Sequence, residues 1–154
     1  MPDLSTSAAP LLEVRGLGMS FAIASSRTDG ARTLRALNAV NLTIGHGEVV
    51  ALVGESGSGK TTLGKIIVRL TEPSEGQVLF DGVDISALSQ RALKPFRKRM
   101  QFVFQDPYQS LNPYMRVGDI LEEALVIHGI GTAGQDRRDR VGRILEQVGL
   151  SPAH

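Results

Sequence analysis

The spacing of hydrophobic and polar positions predicts an alternation of strands and helices along the chain. Residues 12–21 contain two short alternating apolar runs separated by a glycine, which predict one or two strands. Residues 40–44 alternate again and precede a turn at 45–47. The next stretch, VVALV at 49–53, is apolar without alternation, as in a strand buried on both faces of a parallel sheet. The first third of the chain therefore predicts strands, one of them in the interior of a sheet.

The period of the apolar positions changes after residue 59. Apolar residues then recur at i, i+3, i+4 and i+7, which places them on one stripe of a helix; they are Leu63, Ile66, Ile67 and Leu70. The remaining predicted elements, in chain order, are a strand and turn at 77–82, a helix near 89–99 with Ser89 as a candidate N-cap and Pro95 in its middle, a strand at 100–105, a loop at 106–113, and helices at 118–129 and 136–150. The pattern as a whole predicts an α/β fold.

Composition narrows the class of protein. The 154 residues correspond to about one domain, and a net charge of +1 gives no electrostatic reason to expect a nucleic-acid partner. The absence of cysteine excludes disulfides and thiolate sites. Residues 1–10 resemble no secretion signal and are expected to form a disordered tail before a domain at 11–154. Because no apolar run reaches the length needed to cross a bilayer, the sequence predicts a soluble intracellular chain.

A glycine-rich loop carries the strongest chemical signal. The stretch GESGSGKTT at 54–62 matches the phosphate-loop pattern G-x-x-x-x-G-K-[ST]. Glycines let the backbone approach a phosphate chain, and the N–H groups of the following helix add a positive dipole end. Lys60 supplies a charge for the β and γ phosphates, and the Thr61 hydroxyl is suited to Mg²⁺. The residues expected to bind nucleotide are Gly54, Glu55, Ser56, Gly57, Ser58, Gly59, Lys60, Thr61 and Thr62.

The segments around this loop resemble the nucleotide-binding domain of ABC transporters. "LNAVNLTIGHGEVVALVGESGSGKTTLGKII", "PSEGQVLFDGVDI" and "MQFVFQDPYQSLNP" follow one another in the order found in that family. The last of these is most similar to the oligopeptide, dipeptide and nickel importers, and the resemblance covers residues 11–150. It implies a P-loop fold with an antiparallel β layer from residues 11–48 and 76–83, a partial parallel core begun by 49–53, and a partial helical subdomain after residue 105.

The resemblance also implies roles for single residues. Phe21 would stack on the adenine ring, although simple core packing is the open alternative for this residue. Gln105 would contact the Mg²⁺ or the attacking water. ATP and Mg²⁺ are the implied cofactors. The implied partners are membrane permease subunits, a second ATP-binding subunit and, indirectly, a solute-binding protein. The implied location is peripheral, on the cytoplasmic face of the plasma membrane.

Two further motifs admit alternative interpretations. Asp106 follows a predicted strand and could stand for a Walker B aspartate, which would make the chain a small kinase-like or GTPase-like protein. The stretch TAGQDRR at 132–138 resembles the ABC signature loop but lacks its leucine and Ser-Gly pair, and it precedes the helix that the family's signature follows. We interpret it as an interhelical loop. His46, His128 and His154 are expected to be solvated.

The resemblance does not extend to the catalytic half of the family's site. No Walker B aspartate with its glutamate, no signature loop and no switch histidine is found before His154. The sequence is therefore expected to be the N-terminal part of a longer domain, with no catalytic residue of its own, no measurable ATP hydrolysis and poor folding in isolation. The full-length function implied is ATP binding and hydrolysis that energise peptide or nickel-type import. A non-transport ABC ATPase and an inactive binding-only fragment remain the alternatives.

Overall fold

The structure is a computed structural model that describes residues 9–23, 32–106, 108, 111–132 and 134–151. Most of the predicted tail at 1–10, most of the predicted loop at 24–32 and His154 lie outside the described residues. The chain divides into two compact units, an N-terminal unit of Met1–Phe102 and a C-terminal unit of Val103–His154.

The N-terminal unit is built on a four-stranded antiparallel sheet. Its strands are β1 (Leu12–Ile23), β2 (Arg32–Ile44), β3 (Glu75–Phe80) and β4 (Val83–Asp84), in the order β2-β1-β3-β4. The antiparallel layer predicted over 11–48 and 76–83 is therefore confirmed.

An extra residue in β2 changes the pairing near one end of this sheet. Met19 pairs with Leu37, but the next residue of β1, Ser20, pairs with Arg35, so that Ala36 is left as a bulge. Phe21 then faces Leu34 across the strands.

One face of the sheet packs on helices to form the core. Helix α1 (Lys60–Ile67) buries Leu63 and Ile66, and helix α2 (Gln90–Arg97) buries Leu93. The sheet contributes apolar side chains that alternate along its strands, namely Leu12, Val14, Leu17, Met19, Leu37, Val78 and Phe80. The predicted helical stripe is confirmed at Leu63 and Ile66, whereas Leu70 lies beyond the end of α1 and is half exposed.

The start of α2 follows the prediction closely. The Ser89 hydroxyl accepts a hydrogen bond from the Ala92 N–H at 3.3 Å, which satisfies one of the donors left free at a helix start. Pro95 lies inside the helix, which continues to Arg97 although a proline cannot donate a hydrogen bond to the Arg91 carbonyl.

A buried cation joins the end of α1 to the turn before α2. Arg69 is only 3% exposed and has a left-handed backbone with φ of 56°. Its guanidinium donates to the carbonyls of Ile85 and Leu88 at 2.9 and 3.3 Å, and Glu72 lies 3.5 Å from it. These contacts hold the residues before α2 against the helix that follows the glycine-rich loop.

Two predicted strands are not formed in the structure. Residues 49–53 and 100–105 form no hydrogen-bonded strand, and Val49 and Val53 are 97% and 89% exposed. An apolar run without alternation indicates a tendency to be buried between two partners, and a strand is stable only when neighbouring strands accept its hydrogen bonds. No segment of the described chain pairs with either run. The residues predicted to form the parallel core are therefore not paired in a sheet in the described part of the chain.

The described residues of the C-terminal unit include two α-helices. Helices α3 (Val117–Ile127) and α4 (Gln135–Gln147) begin within one residue of the predicted positions and end two or three residues earlier. Val141 and Leu145 are the buried positions of the predicted stripe on α4. None of the helices in the described part of the chain is long and apolar enough to span a bilayer.

Candidate nucleotide site

The glycine-rich loop lies between the extended segment 49–53 and the start of α1. It needs left-handed backbone at two positions, Gly57 with φ of 82° and Gly59 with φ of 91°. Glycine adopts this conformation without the steric cost that a Cβ atom imposes. The Ser58 N–H donates to the Glu55 carbonyl at 3.3 Å and closes a turn at the tip of the loop.

Gly59 is also the point where the loop meets the sheet. A Cβ atom at Gly59 would lie 2.8 Å from the Ala36 carbonyl oxygen and 2.9 Å from Cδ2 of Leu37. Only a residue without a side chain fits at this contact. The pattern G-x-x-x-x-G-K-[ST] identifies this glycine, but its contact with Ala36 and Leu37 of β2 has no signal in the sequence.

The Lys60 ammonium group lies inside the curve of the loop. Its Nζ atom donates to the carbonyls of Gly54 and Glu55 at 2.7 and 2.5 Å, and to the Ser58 hydroxyl at 3.2 Å. An ammonium group has three donors, and all three are directed at loop oxygens. The positive charge is thereby held where a phosphate chain bound by the loop would lie.

The helix that follows adds free backbone donors. The first bond within α1 runs from the Leu63 N–H to the Gly59 carbonyl at 2.9 Å, so the N–H groups of Lys60, Thr61 and Thr62 precede it. The first turn of α1 contains no acidic side chain that would neutralise its positive end. The arrangement is suited to an anion.

Thr61 and Thr62 differ in exposure. The Thr61 side chain is exposed and lines an open depression of about 390 Å³, which Val50, Leu52 and Ile67 also line. Thr62 is half buried. Glu55 and Ser56 are exposed at the tip of the loop.

Phe21 lies on the same hairpin that contacts the loop. It is 40% exposed, as is its cross-strand neighbour Leu34 at 55%. The reason is that β3 covers β1 only as far as the pair Gly18 and Glu75, so Phe21 lies beyond this cover. The alternative of simple core packing is thus not favoured by the exposure of the ring.

Gln105 and Asp106 belong to the C-terminal unit and are exposed. Asp106 accepts a hydrogen bond from the Tyr108 N–H at 3.2 Å, which is a local turn contact. Because no hydrogen-bonded strand precedes Asp106, the structure does not favour its interpretation as a Walker B aspartate.

Comparison with known proteins places the chain in a family. The family profile described as ABC transporter matches residues 37–154, which includes the glycine-rich loop, α1 and the remainder of the chain. The chain belongs to the ABC transporter family.

Relatives within the ABC transporter family include import proteins. The chain is 50% identical over 143 residues to a putative peptide import ATP-binding protein of Brucella ovis, a match that covers 93% of this chain and 43% of the relative. It is 41% identical over 153 residues to the glutathione import ATP-binding protein GsiA of Salmonella typhi, covering 99% of this chain and 24% of the relative. The chain thus spans less than half the length of these relatives.

Solved ABC structures share its fold. The dimeric ATP-binding cassette MJ0796, in a post-hydrolysis state bound to ADP and Pi, matches with a TM-score of 0.74 and 29% identity, over 91% of this chain and 58% of the other. The cbiO1 subunit from Clostridium perfringens matches with a TM-score of 0.65 and 29% identity, over 92% of this chain and 51% of the other. The predicted fold class, an ABC cassette of the P-loop type with an antiparallel sheet, is confirmed.

The stretch at 132–138 is partly loop and partly helix. Thr132 precedes α4, whereas Gln135–Arg138 form its first turn, so the predicted loop is shorter than expected; Ala133 lies outside the described residues. The Asp136 carboxylate accepts a hydrogen bond from the Thr132 N–H at 2.8 Å, and this bond, with Arg140 nearby, holds the pKa of Asp136 below its usual value. The stretch therefore forms the turn that leads into α4, whose first residues it contains.

Proposed function

We propose that the whole protein is the ATP-binding subunit of an ABC importer and that it energises the uptake of peptides. The observation that carries the ATP-binding part of this proposal is the loop geometry, in which Lys60 Nζ lies against the Gly54 and Glu55 carbonyls and the first turn of α1 has no acidic side chain. The relatives named above are import ATP-binding proteins, and both of their substrates are peptidic. The present chain would contribute the phosphate-binding part of the site.

Lys60 would exchange its partners when ATP binds. The Lys60 ammonium group now donates to two carbonyls and one hydroxyl, which are neutral acceptors. The β and γ phosphates are charged acceptors and form stronger hydrogen bonds with it. The N–H groups at the start of α1 would bind the same phosphates. These interactions would bind a triphosphate but would not by themselves hydrolyse it.

Mg²⁺ fits the donor set that the sequence offers. A hydroxyl oxygen from Thr61 and an amide oxygen from Gln105 are oxygen ligands, which Mg²⁺ prefers along with phosphates and water. Thr61 is exposed next to Lys60 at the start of α1. When bound, the ion would neutralise part of the negative charge of the phosphates.

Phe21 is proposed to stack on the adenine. β2 contacts the loop at Ala36, and Phe21 pairs with Leu34, two residues further along that strand. At about 3.4 Å per residue, Leu34, the cross-strand partner of Phe21, lies about 7 Å along β2 from the residue that contacts the loop. This separation is on the scale of the base and the phosphates of one nucleotide.

Replacing Phe21 by alanine should weaken ATP binding about tenfold, since base–aromatic stacking contributes about 1–3 kcal/mol per base. The half-exposed ring contributes little to the core, so the unfolding midpoint should change little. Fluorescence titration with a labelled ATP checks the affinity. Phe21→Tyr keeps the aromatic face and should bind like the unchanged chain; equal losses for the two variants would contradict stacking.

The partners are proposed from the family. A permease would bind the helical part of the ATP-binding subunit, and a second ATP-binding subunit, identical or different, would complete the nucleotide sites. A solute-binding protein would deliver the peptide to the permease. The subunit would then lie at the cytoplasmic face of the plasma membrane. The dimeric state of the related cassette MJ0796 supports the second of these partners.

Uptake in the source organism tests the proposed function. Deleting the gene should abolish accumulation of a labelled tripeptide, and the unchanged gene should restore it, whereas a gene with Lys60→Ala should not. Accumulation of nickel is measured in the same cells. Loss of nickel uptake with normal tripeptide uptake would contradict the peptide substrate, and unchanged uptake of both would contradict import.

A further inference from the structure

Helix α2 concentrates positive charge that the nucleotide site does not use. Between Asp84 and Asp106 the chain has five basic residues and no acidic residue. The rest of the chain has 12 basic and 16 acidic residues, so the positive charge of this segment stands against an acidic remainder. The near-neutral total therefore conceals a strongly basic segment.

Three of the five basic residues form one exposed stripe. Arg91, Lys94 and Lys98 are spaced i, i+3 and i+7, which places them on one helix face, and all three are exposed. Lys98 caps the helix with α-helical backbone angles, so the stripe continues to that residue. The opposite face buries Leu93, with Phe96 packed against the core. We call Arg91, Lys94 and Lys98 the basic stripe.

The basic stripe has no internal partner. Within the described part of the chain, none of its three side chains forms an ion pair or a side-chain hydrogen bond. Its two basic neighbours are engaged otherwise. Arg97 donates to the Gln90 side chain at 2.6 Å, and Arg99 pairs with Asp81 at 2.9 Å. The stripe charges are therefore free to meet an external anion.

The stripe is held in place by the fold. Arg69 bonds the carbonyls of Ile85 and Leu88 just before α2, and Ser89 caps the helix start. Arg99 also stacks on the Phe80 ring, with 4.9 Å from its guanidinium carbon to the ring centroid. Both ends of α2 are thus tied to the N-terminal unit, and the stripe projects from a fixed helix.

We propose that the basic stripe contacts the anionic headgroups of a lipid bilayer. A folded protein partner forms an interface with an apolar centre, and the exposed side of α2 offers three basic side chains with only Ala92 and Pro95 as small apolar neighbours. A fluid anionic surface needs neither a groove nor an apolar contact; it attracts each nearby basic residue through its negative potential. The inference rests on the proposed function only in that it takes the subunit to lie next to a membrane. The lipid contact itself requires no nucleotide.

Vesicle binding tests this proposal directly. The purified whole protein is sedimented, without nucleotide, with phosphatidylcholine vesicles that contain or lack phosphatidylglycerol. Binding is expected only with the anionic lipid, and raising the salt should weaken it. The variant Arg91→Ala/Lys94→Ala/Lys98→Ala should reduce the partition coefficient of the protein on anionic vesicles about a hundredfold. This estimate assumes that each basic residue contributes a factor of about five.

A second triple variant provides the matched control. Arg116, Arg138 and Arg143 are exposed basic residues of the C-terminal unit, and replacing all three by alanine removes the same charge. This control should keep vesicle binding within about threefold of the unchanged chain. Equal losses for the two triple variants would show a non-specific charge effect and overturn the proposal.

Two other results would also overturn the lipid contact. One is binding of the unchanged chain to neutral and anionic vesicles alike. The other is tight binding of polyglutamate that the stripe variant loses, because the stripe would then be a surface for acidic polypeptides. ATP affinity is measured on every variant. If the unchanged protein binds ATP but not anionic vesicles, the lipid contact alone is refuted. If the unchanged protein does not bind ATP, the proposed function is refuted instead.

Discussion

Replacing Lys60 by alanine should weaken ATP binding by about a hundredfold, or close to 3 kcal/mol. The Nζ atom is placed within 2.7 Å of Gly54 O, 2.5 Å of Glu55 O and 3.2 Å of Ser58 Oγ, inside the curve of the loop. Phosphates bound there would accept charge-assisted hydrogen bonds of about 1.5–3 kcal/mol each from the ammonium group. Isothermal titration with Mg·ATP measures the loss.

Lys65 gives the matched control for this change. It lies in the last turn of the same helix, and the structure gives its ammonium group no role in the loop. Lys65→Ala removes the same charge and should change the dissociation constant by less than about threefold. An equal loss of affinity for the two variants would mean that overall charge, and not the position of Lys60, determines binding.

Replacing Gly59 by alanine should both unfold the loop and remove nucleotide binding. A non-glycine residue in left-handed backbone costs about 1–2 kcal/mol, and Gly59 has φ of 91°. The added Cβ would also lie 2.8 Å from the Ala36 carbonyl oxygen, a backbone atom that cannot turn aside. Overpacking of this kind costs about 1–3 kcal/mol. We expect a total destabilisation of about 3 kcal/mol in urea unfolding.

A variant at Gly57 distinguishes the backbone cost from the overpacking cost. Gly57 has φ of 82° but nothing within 4 Å of an added Cβ, so Gly57→Ala carries only the backbone cost. This variant should lose about 1 kcal/mol of stability in urea unfolding. If Gly57→Ala and Gly59→Ala lose the same stability, the contact between the loop and β2 does not constrain Gly59.

Local patterns were enough to predict the phosphate loop and most of the helices. The spacing Gly54-x4-Gly59-Lys60 identifies the loop because each residue acts through its own backbone or side chain. Ser89 is recognisable as an N-cap for the same reason, since its hydroxyl bonds an N–H only three residues away. The alternating apolar positions of β1 and β3 likewise report directly which side of each strand faces the core.

Features that depend on distant partners could not be predicted in this way. The run at 49–53 indicates burial, but whether it forms a strand depends on neighbours that the described chain does not supply. The bulge at Ala36 is a matter of register between β1 and β2. Arg69 is charged and would be expected at the surface, yet it is buried because two carbonyls from residues 85–88 happen to face it.

These long-range features also connect the parts of the proposed site. Ala36 of β2 contacts Gly59, and on the same strand pair Phe21 lies beyond the end of the pairing between β1 and β3. One hairpin therefore supports the phosphate loop and presents the aromatic ring proposed for the base. A change in the register between β1 and β2 should therefore weaken the binding of the phosphates and of the base together.

We propose that the loop and α1 together hold a triphosphate. Titration of the unchanged chain with Mg·ATP and, in parallel, with AMP tests it most directly, because AMP carries the same base without the β and γ phosphates that Lys60 would bind. We predict saturable binding of one Mg·ATP per chain and binding of AMP that is at least about a hundredfold weaker. Equal affinities for ATP and AMP, or no binding of ATP, would contradict the account.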